Sequence, residues 1–201
     1  MKYNRTYLIC IALGLLMALT ACAGQGQVQY PEDFSLYYDL IGEKKEVVLR
    51  ELGLSESELS NRHMGLYSTP RTARYQGLVF EVLLEFDLST DVLWAVRYLK
   101  PWQGERETAI QDLVTLSRGL TTIFGPAQTL PGYENPTRVT KLTAQELDRA
   151  FAEKPQRWSI TDYWILEPER NQFDCMVELQ VVAVDNNDVV SAVLRISPNM
   201  Y

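Results

Sequence analysis

The chain has 201 residues, with 26 acidic and 19 basic side chains and a formal net charge of −7 at pH 7. An acidic chain without a basic stripe repels phosphate backbones, so we expect no nucleic-acid partner. One His and three Cys, two of them within the first 22 residues, are too few for a zinc site built from Cys and His alone. No glycine motif for phosphate or dinucleotide binding occurs, so the sequence predicts neither a metal nor a cofactor.

The N-terminus has the pattern of an export signal. Lys2 and Arg5 precede a nearly continuous apolar run over residues 7–19. This run is shorter than the roughly 20 residues that a membrane-spanning helix needs. A basic start, a short apolar core and small residues before Cys22 together predict a secretory signal peptide over residues 1–21.

The end of this segment is more specific than an ordinary cleavage site. Leu19-Thr20-Ala21-Cys22 resembles the lipobox of bacterial lipoproteins, in which Leu and two small residues precede an invariant Cys. The resemblance implies cleavage between Ala21 and Cys22 and a diacylglycerol thioether on the Cys22 thiol. Two acyl chains give stable membrane attachment, so the implied partner is membrane lipid held through acylated Cys22. The implied location is the bacterial cell envelope, on the outer face of the cytoplasmic membrane or on the outer membrane.

The mature chain would begin at Cys22 and have 180 residues, with 17 basic and 26 acidic side chains and a charge of −9. Residues 22–33 begin with a Gly- and Gln-rich stretch and predict a flexible tether. Residues 34–201 are long enough for one domain of ordinary size. Cys10 leaves with the signal and Cys22 carries lipid, so Cys175 has no partner for an intrachain disulfide.

The first half of the domain predicts helix and then a hairpin. Residues 34–53 have helical spacing, in one or two pieces, and 54–60 add a further helical turn. Residues 61–77 are rich in turn formers. Strands are then predicted over 75–87 and 91–100, because apolar and polar residues alternate there.

The second half repeats this order with more elements. Residues 105–125 have the strongest helical stripe of the chain, and 125–136 contain three Pro and two Gly, which predict a loop. Thr143 begins a short helix, with Glu146 placed as in a capping box. Three further strands are predicted over 157–166, 173–185 and 188–196, the last two joined by a turn at Asn186-Asn187.

Runs of helix followed by sequential strands predict an α+β fold with helices packed on an antiparallel sheet. The segments "DVLWAV" (91–96) and "DVVSAV" (188–193) each follow a strand that ends in Asp. They favour two tandem helix-plus-hairpin units, residues 34–104 and 105–201. Alternating strands also produce such matches by chance, so both interpretations stay open.

Three aromatic residues form the candidate binding surface. Trp94 and Tyr98 occupy the same phase of the strand over 91–100, and Trp102 follows it. Aromatic rings with a polar edge suit contacts with a protein or a glycan. The same residues are also favoured in sheets for packing alone.

No pattern indicates a catalytic centre. His63 lies in the turn-rich stretch without a nucleophile motif, which is typical of an exposed loop His. Cys175 alternates with apolar residues, which predicts a buried thiol. The Asp residues near 87–91 and 185–188 fit turn chemistry. A pair of carboxylates for a hydrolase need not be close in sequence, so this alternative stays open.

A second resemblance concerns residues 40–53. They resemble the helix of the SmpA/OmlA small outer-membrane lipoproteins, through Gly42, Glu46, Val47, Leu52 and Gly53. Those proteins, like the tandem fold of the β-lactamase-inhibitor proteins, place helices against an antiparallel sheet. The resemblance implies a role in protein binding or assembly. The Pro that usually follows the terminal Gly is absent here, where Leu54 follows.

The sequence therefore favours a membrane-anchored envelope lipoprotein that acts as a non-catalytic binding or assembly module, with an envelope protein or glycan as partner. The alternatives are an envelope hydrolase that uses dispersed carboxylates and an inhibitor-like structural module.

Overall fold

The computed structural model describes residues 34, 37–131, 141–153, 157–166, 175–184 and 189–198. Within them, eight strands form one continuous sheet in which every neighbouring pair is antiparallel. The strands are Ser60–His63 (β1), Leu66–Tyr75 (β2), Leu78–Phe86 (β3), Leu93–Gln103 (β4), Gln128–Pro131 (β5), Arg157–Leu166 (β6), Cys175–Val184 (β7) and Val189–Pro198 (β8). Their order across the sheet is β1-β2-β3-β4-β8-β7-β6-β5.

Helices hold fewer residues than strands in the part of the chain that the structure describes. In the described ranges they are Lys45–Leu52 (α1), Arg106–Phe124 (α2) and Ala144–Glu153 (α3), with a 3₁₀ turn at Glu56–Glu58. Gly53 ends α1 in the left-handed conformation, and its N–H donates to the Arg50 carbonyl. This is a common way to satisfy the last carbonyls of a helix.

All three helices lie on one face of the sheet. Trp102 on β4 donates its indole N–H to Asp112 on α2, at 2.9 Å. Phe151 on α3 meets Trp158 on β6 edge to face, with ring centroids 5.4 Å apart. The apolar stripe of α2 is buried on the same side and consists of Ala109, Ile110, Leu113, Leu116 and Leu120. This side of the sheet holds the hydrophobic core.

The other side of the sheet carries no helix of the described ranges, and we call it the open face. Side chains along β7 alternate strictly between buried and half-buried from Cys175 to Val184. Because successive side chains of a strand point to opposite faces, the half-buried ones belong to the open face.

Lys45 connects helix α1 to the sheet. The Lys45 ammonium lies 2.5 Å from a Glu56 carboxylate oxygen and 4.6 Å from the centre of the Tyr67 ring. Burial lowers the pKa of Lys45, but the bond to Glu56 and the charges around it outweigh burial, so the pKa lies above its usual value. The ammonium therefore stays charged and joins α1 to β2.

The prediction of turns over 61–77 is wrong, because β1 and β2 occupy most of it. All four residues of β1 are exposed, so this edge strand has no apolar alternation to detect. Strand β2 has a register shift between Ser68 and Thr72, around Pro70, which breaks its alternation too. Pro is tolerated at such irregular positions of a strand.

The helix predicted over 34–53 is shorter in the structure: α1 spans only Lys45–Leu52, and residues 39–43 form turns and a bend. Two other boundaries also differ from the predictions. Strand β5 lies inside the predicted loop over 125–136, and the rest of that loop from residue 132 falls outside the described residues. Strand β4 continues through Pro101 to Gln103, beyond the predicted end at residue 100. The predicted turn at Asn186-Asn187 also falls outside the described residues.

The remaining elements are close to their predicted ranges. Helices α2 and α3 and strands β3, β6, β7 and β8 begin and end within a few residues of the expected positions. The amide of Glu146 donates to the Thr143 hydroxyl at 3.3 Å, which is half of the predicted capping box. Mixed helix and strand content with an antiparallel sheet is confirmed, and strands predominate among the described residues.

Candidate functional site

The open face carries a row of charges at the centre of the sheet. Arg97 on β4 and Arg195 on β8 are directly paired across the strands. Like charges in this position repel each other unless they are neutralised. Glu85 accepts from Arg97 Nε at 2.9 Å, and Glu178 accepts from Arg195 Nη1 at 2.9 Å. Arg195 Nε also lies 3.5 Å from Glu85, which links the four residues into one network.

A shallow depression of about 200 Å³ lies beside this network. It is lined by Arg97, Glu178, Gln180, Val193 and Arg195. About a quarter to a third of the side-chain surface of the four network residues remains exposed. An arginine has five N–H donors in a planar fork, so the network retains donors for an approaching polar group.

A separate ion pair lies closer to the β1 edge, between Glu81 and Arg62. This carboxylate lies 2.7 Å from Arg62 and accepts a hydrogen bond from the Ser68 hydroxyl. Burial alone raises the pKa of Glu81, but the bonds from Ser68 and Arg62 outweigh it and hold the pKa below its usual value. The carboxylate therefore stays ionised and paired.

A larger cleft opens at the end of the β3–β4 hairpin. Its volume is about 410 Å³, and we call it the Trp94 cleft. It is lined by Met64, Glu85, Phe86, Asp87, Leu88 and Trp94. Because Glu85 belongs to both the cleft and the charge network, the two features form one continuous surface.

The loop that carries Leu88 is tightly built. Asp87 Oδ1 accepts from the hydroxyls and the backbone amides of both Ser89 and Thr90. These bonds, led by the Ser89 hydroxyl, lower the pKa of Asp87 to about 2. Asp side chains commonly organise turns in this way. Asp87 therefore serves turn geometry, as predicted, and the group near 185–188 falls outside the described residues.

The structure separates the three residues of the predicted binding surface. Trp94 is half-buried and lines the cleft. Tyr98 and Trp102 are 0% and 2% exposed and belong to the core, so their assignment to a surface is wrong. The reason is a bulge in β4: Glu85 pairs with Ala95 and Phe86 pairs with Leu93, which leaves Trp94 as an extra residue. A bulge of one residue reverses the phase of the strand beyond it.

Tyr98 instead supports the attachment of the N-terminal segment. Its ring centroid lies 4.2 Å from that of Phe34 and 5.9 Å from that of Tyr37. Trp102 is held by its bond to Asp112 on α2. Both residues are therefore packing elements beneath the helices.

The other candidates lie apart from the open-face network. His63 is exposed at the end of β1, which makes it a strand residue and not a loop residue. Cys175 is 1% exposed, in agreement with the predicted buried thiol. Asp162 lies in the core, where it accepts from the hydroxyls of Thr129 at 2.6 Å and Ser117 at 3.1 Å.

Burial raises the pKa of Asp162, although the two hydroxyl donors partly oppose the shift. A carboxyl whose pKa is raised on folding contributes most stability below its unfolded pKa and loses it as pH rises through the folded pKa. We therefore expect Asp162→Asn to increase the free energy of unfolding relative to wild type, with a gain that grows from acidic to neutral pH. Urea unfolding of both proteins across this range checks it. A gain that is constant or shrinks with pH contradicts it.

Sequence reasoning missed most of this surface. Met64 and Leu88 lie in turns, where no periodicity marks a binding residue. Arg195 and Glu178 carry a usable signal, because the predicted two-residue turn at Asn186-Asn187 would place them opposite each other, as the strand pairing has them. No signal in the sequence connects Glu85 with Arg195, since the pairing of β4 with β8 is a long-range contact.

Comparison with known proteins gives no relative: no family, no curated protein and no solved structure matches the chain. Among the described residues, no group of three or more His, Cys, Asp or Glu side chains is arranged to hold a metal ion. None of the helices in the same ranges is both long enough and apolar enough to cross a membrane.

Proposed function

We propose that the chain is a lipid-anchored protein of the bacterial envelope that binds a partner protein through the open face of its sheet. The observation that carries this proposal is the continuous surface formed by the Trp94 cleft and the charge network. It combines exposed apolar groups with arginines that retain hydrogen-bond donors. Such combinations are typical of protein interfaces, in which Trp, Met and Arg are enriched.

The charges of the open face favour binding over acid–base chemistry. Glu81, Glu85 and Glu178 are each in an ion pair with an arginine. Their oxygens accept hydrogen bonds from Arg62, Arg97 and Arg195, so they are already engaged in contacts within the sheet. The network instead provides fixed charges in a defined geometry, which give a partner orientation and specificity.

Two tandem units, residues 34–104 and 105–201, are part of the proposal. Each half supplies four consecutive strands, and the halves meet where β4 pairs with β8. In each half the outermost strand has four residues and the others have nine to eleven. The mirrored order supports a duplication in which each unit packs helix on sheet, as in the folds that residues 40–53 resemble.

The position of Phe34 supports an orientation relative to the membrane. Phe34 lies on the helix-bearing side of the sheet, against Tyr98 and Phe80. The 12 residues from Cys22 to Phe34 reach at most about 40 Å when fully extended. The tether therefore joins the domain on the helix-bearing side, at Phe34, and its reach allows the open face to meet a partner.

Anchoring is tested by Cys22→Ser. Without a thiol no thioether forms, so we expect the protein to lose acyl labelling and to leave the membrane fraction. Fractionation and labelling with a radioactive fatty acid measure this. Normal labelling or continued membrane fractionation of the variant would refute the lipid anchor.

Binding is tested by site-specific photo-crosslinking of the full-length protein in its own envelope. A photoreactive amino acid at Val193, on the open face, is expected to give a discrete protein adduct. The matched control places it at Gln111, an exposed residue of α2 on the opposite side. An adduct at neither position, or equal adducts at both, would contradict binding through the open face.

A further inference from the structure

We infer that the Trp94 cleft binds an apolar side chain flanked by Lys or Arg, supplied by a protein segment of the partner. This inference rests on the proposed function and names the chemistry of its partner. It depends on three observations: the apolar walls of the cleft, the fixed backbone that carries them and the sign of the charges beside them.

The walls of the cleft expose large apolar side chains. Met64 and Leu88 are 73% and 71% exposed, more than any other large hydrophobic residue in the described part of the chain. The half-buried Trp94 is the third accessible apolar side chain of the lining, which also includes Phe86 at 3% exposed. Trp is the residue most often found at energetic centres of protein interfaces.

The three side chains are held by irregular backbone that converges on one place. Met64 precedes Gly65, whose carbonyl accepts the Phe86 amide at 2.8 Å. A Cβ on Gly65 would lie 3.3 Å from a methyl of Leu88, so the two turns are in contact. Trp94 is the bulge residue of β4. A fixed backbone reduces the backbone freedom that these groups lose on binding, which favours affinity.

The ionised groups that line the cleft are both carboxylates, Glu85 and Asp87. Glu85 is neutralised by Arg97. Asp87 forms no ion pair with any Lys or Arg in the described ranges, and its pKa of about 2 keeps it charged. The Lys44 ammonium binds the same turn, but at the Thr90 carbonyl, and it does not line the cleft. The chain as a whole is acidic, with a net charge of −7. A cationic segment is therefore attracted to the cleft, and an acidic one is repelled.

The test uses full-length lipidated protein in detergent and three labelled, end-blocked peptides of the sequences Lys-Leu-Lys-Leu-Lys, Glu-Leu-Glu-Leu-Glu and Lys-Ser-Lys-Ser-Lys. Fluorescence anisotropy measures binding at low and high salt. We expect the first peptide to bind at least about tenfold tighter than the other two, and more weakly at high salt because charges are screened. Equal binding of all three peptides, or preference for the acidic one, would overturn the inference.

Variants locate the binding to the cleft. Leu88→Ser and Trp94→Ala are each expected to weaken the first peptide about tenfold. Ile165→Ser is the control, because Ile165 is 49% exposed on β6, far from the cleft in strand order. Circular dichroism confirms that all variants are folded. If the control weakens binding equally, the cleft is not the site.

This result is separable from the proposed function. If the Val193 probe captures an envelope protein while the peptides fail to discriminate, the open face binds a partner of other chemistry and only the cleft inference falls. If the peptides discriminate while no envelope protein is captured, the cleft inference stands and the proposed function falls.

Discussion

Replacing Phe34 by alanine is expected to lower the free energy of unfolding by about 3–5 kcal/mol, the usual cost of removing a fully buried aromatic ring. Phe34 is 1% exposed and packs against three rings, with centroid distances of 4.2 Å to Tyr98, 5.5 Å to Tyr75 and 6.3 Å to Phe80. These residues belong to β2, β3 and β4. Its loss leaves a cavity over three strands. Urea unfolding measures the change.

Leu88→Ala is the control for this prediction, because Leu88 is 71% exposed and its truncation removes little buried surface. We expect a change within about 0.5 kcal/mol there, as for most surface substitutions. A loss below about 1 kcal/mol for Phe34→Ala would mean that the N-terminal segment does not pack on the sheet, and the orientation argued from Phe34 would fail.

Gly65→Ala is expected to destabilise the protein by about 2–4 kcal/mol, from strain at positive φ together with a backbone clash. Gly65 has φ +78°, and a Cβ there would lie 2.3 Å from the Phe86 carbonyl oxygen. Backbone cannot move aside as a side chain can. The β1–β2 turn must therefore shift, which endangers the bond between the Phe86 amide and the Gly65 carbonyl.

Gly77→Ala is the control that separates the cost of a positive φ from the cost of the steric clash at Gly65. Gly77 has a similar φ of +80°, but nothing lies within 4 Å of a Cβ built there. Its cost should be about 1–2 kcal/mol, that of the left-handed conformation alone. Equal losses in thermal or urea unfolding for the two variants would show that the Gly65 turn does not pack against β3 as described.

The sequence locates best the helices and strands that bury one face and expose the other. Helix α2 presents a single apolar stripe, and β7 alternates strictly, so periodicity alone locates them. Strand β1 has no buried residue, and β2 is interrupted around Pro70. Their place in the sheet depends on pairing with a neighbour, which a single sequence does not display.

The candidate site shows why the face on which a strand side chain lies is harder to predict than the position of the strand in the sequence. Trp94 and Tyr98 share a phase in the sequence, yet the bulge at Trp94 puts them on different faces. The bulge forms where β4 must match β3, so its cause lies in another strand. The bulge explains both results: it places Tyr98 in the core, against the prediction, and it places Trp94 in the cleft.

Oxidative footprinting of the full-length protein tests most directly whether the open face is an occupied interaction surface. Hydroxyl radicals oxidise accessible Met and aromatic side chains, including Trp, and mass spectrometry locates the products. In native envelopes, compared with purified protein, we expect oxidation of Met64 and Trp94 to fall severalfold, while that of half-buried Phe124 on α2 stays unchanged. Equal oxidation of Met64 and Trp94 in both samples would contradict the account, because no partner would then cover the open face.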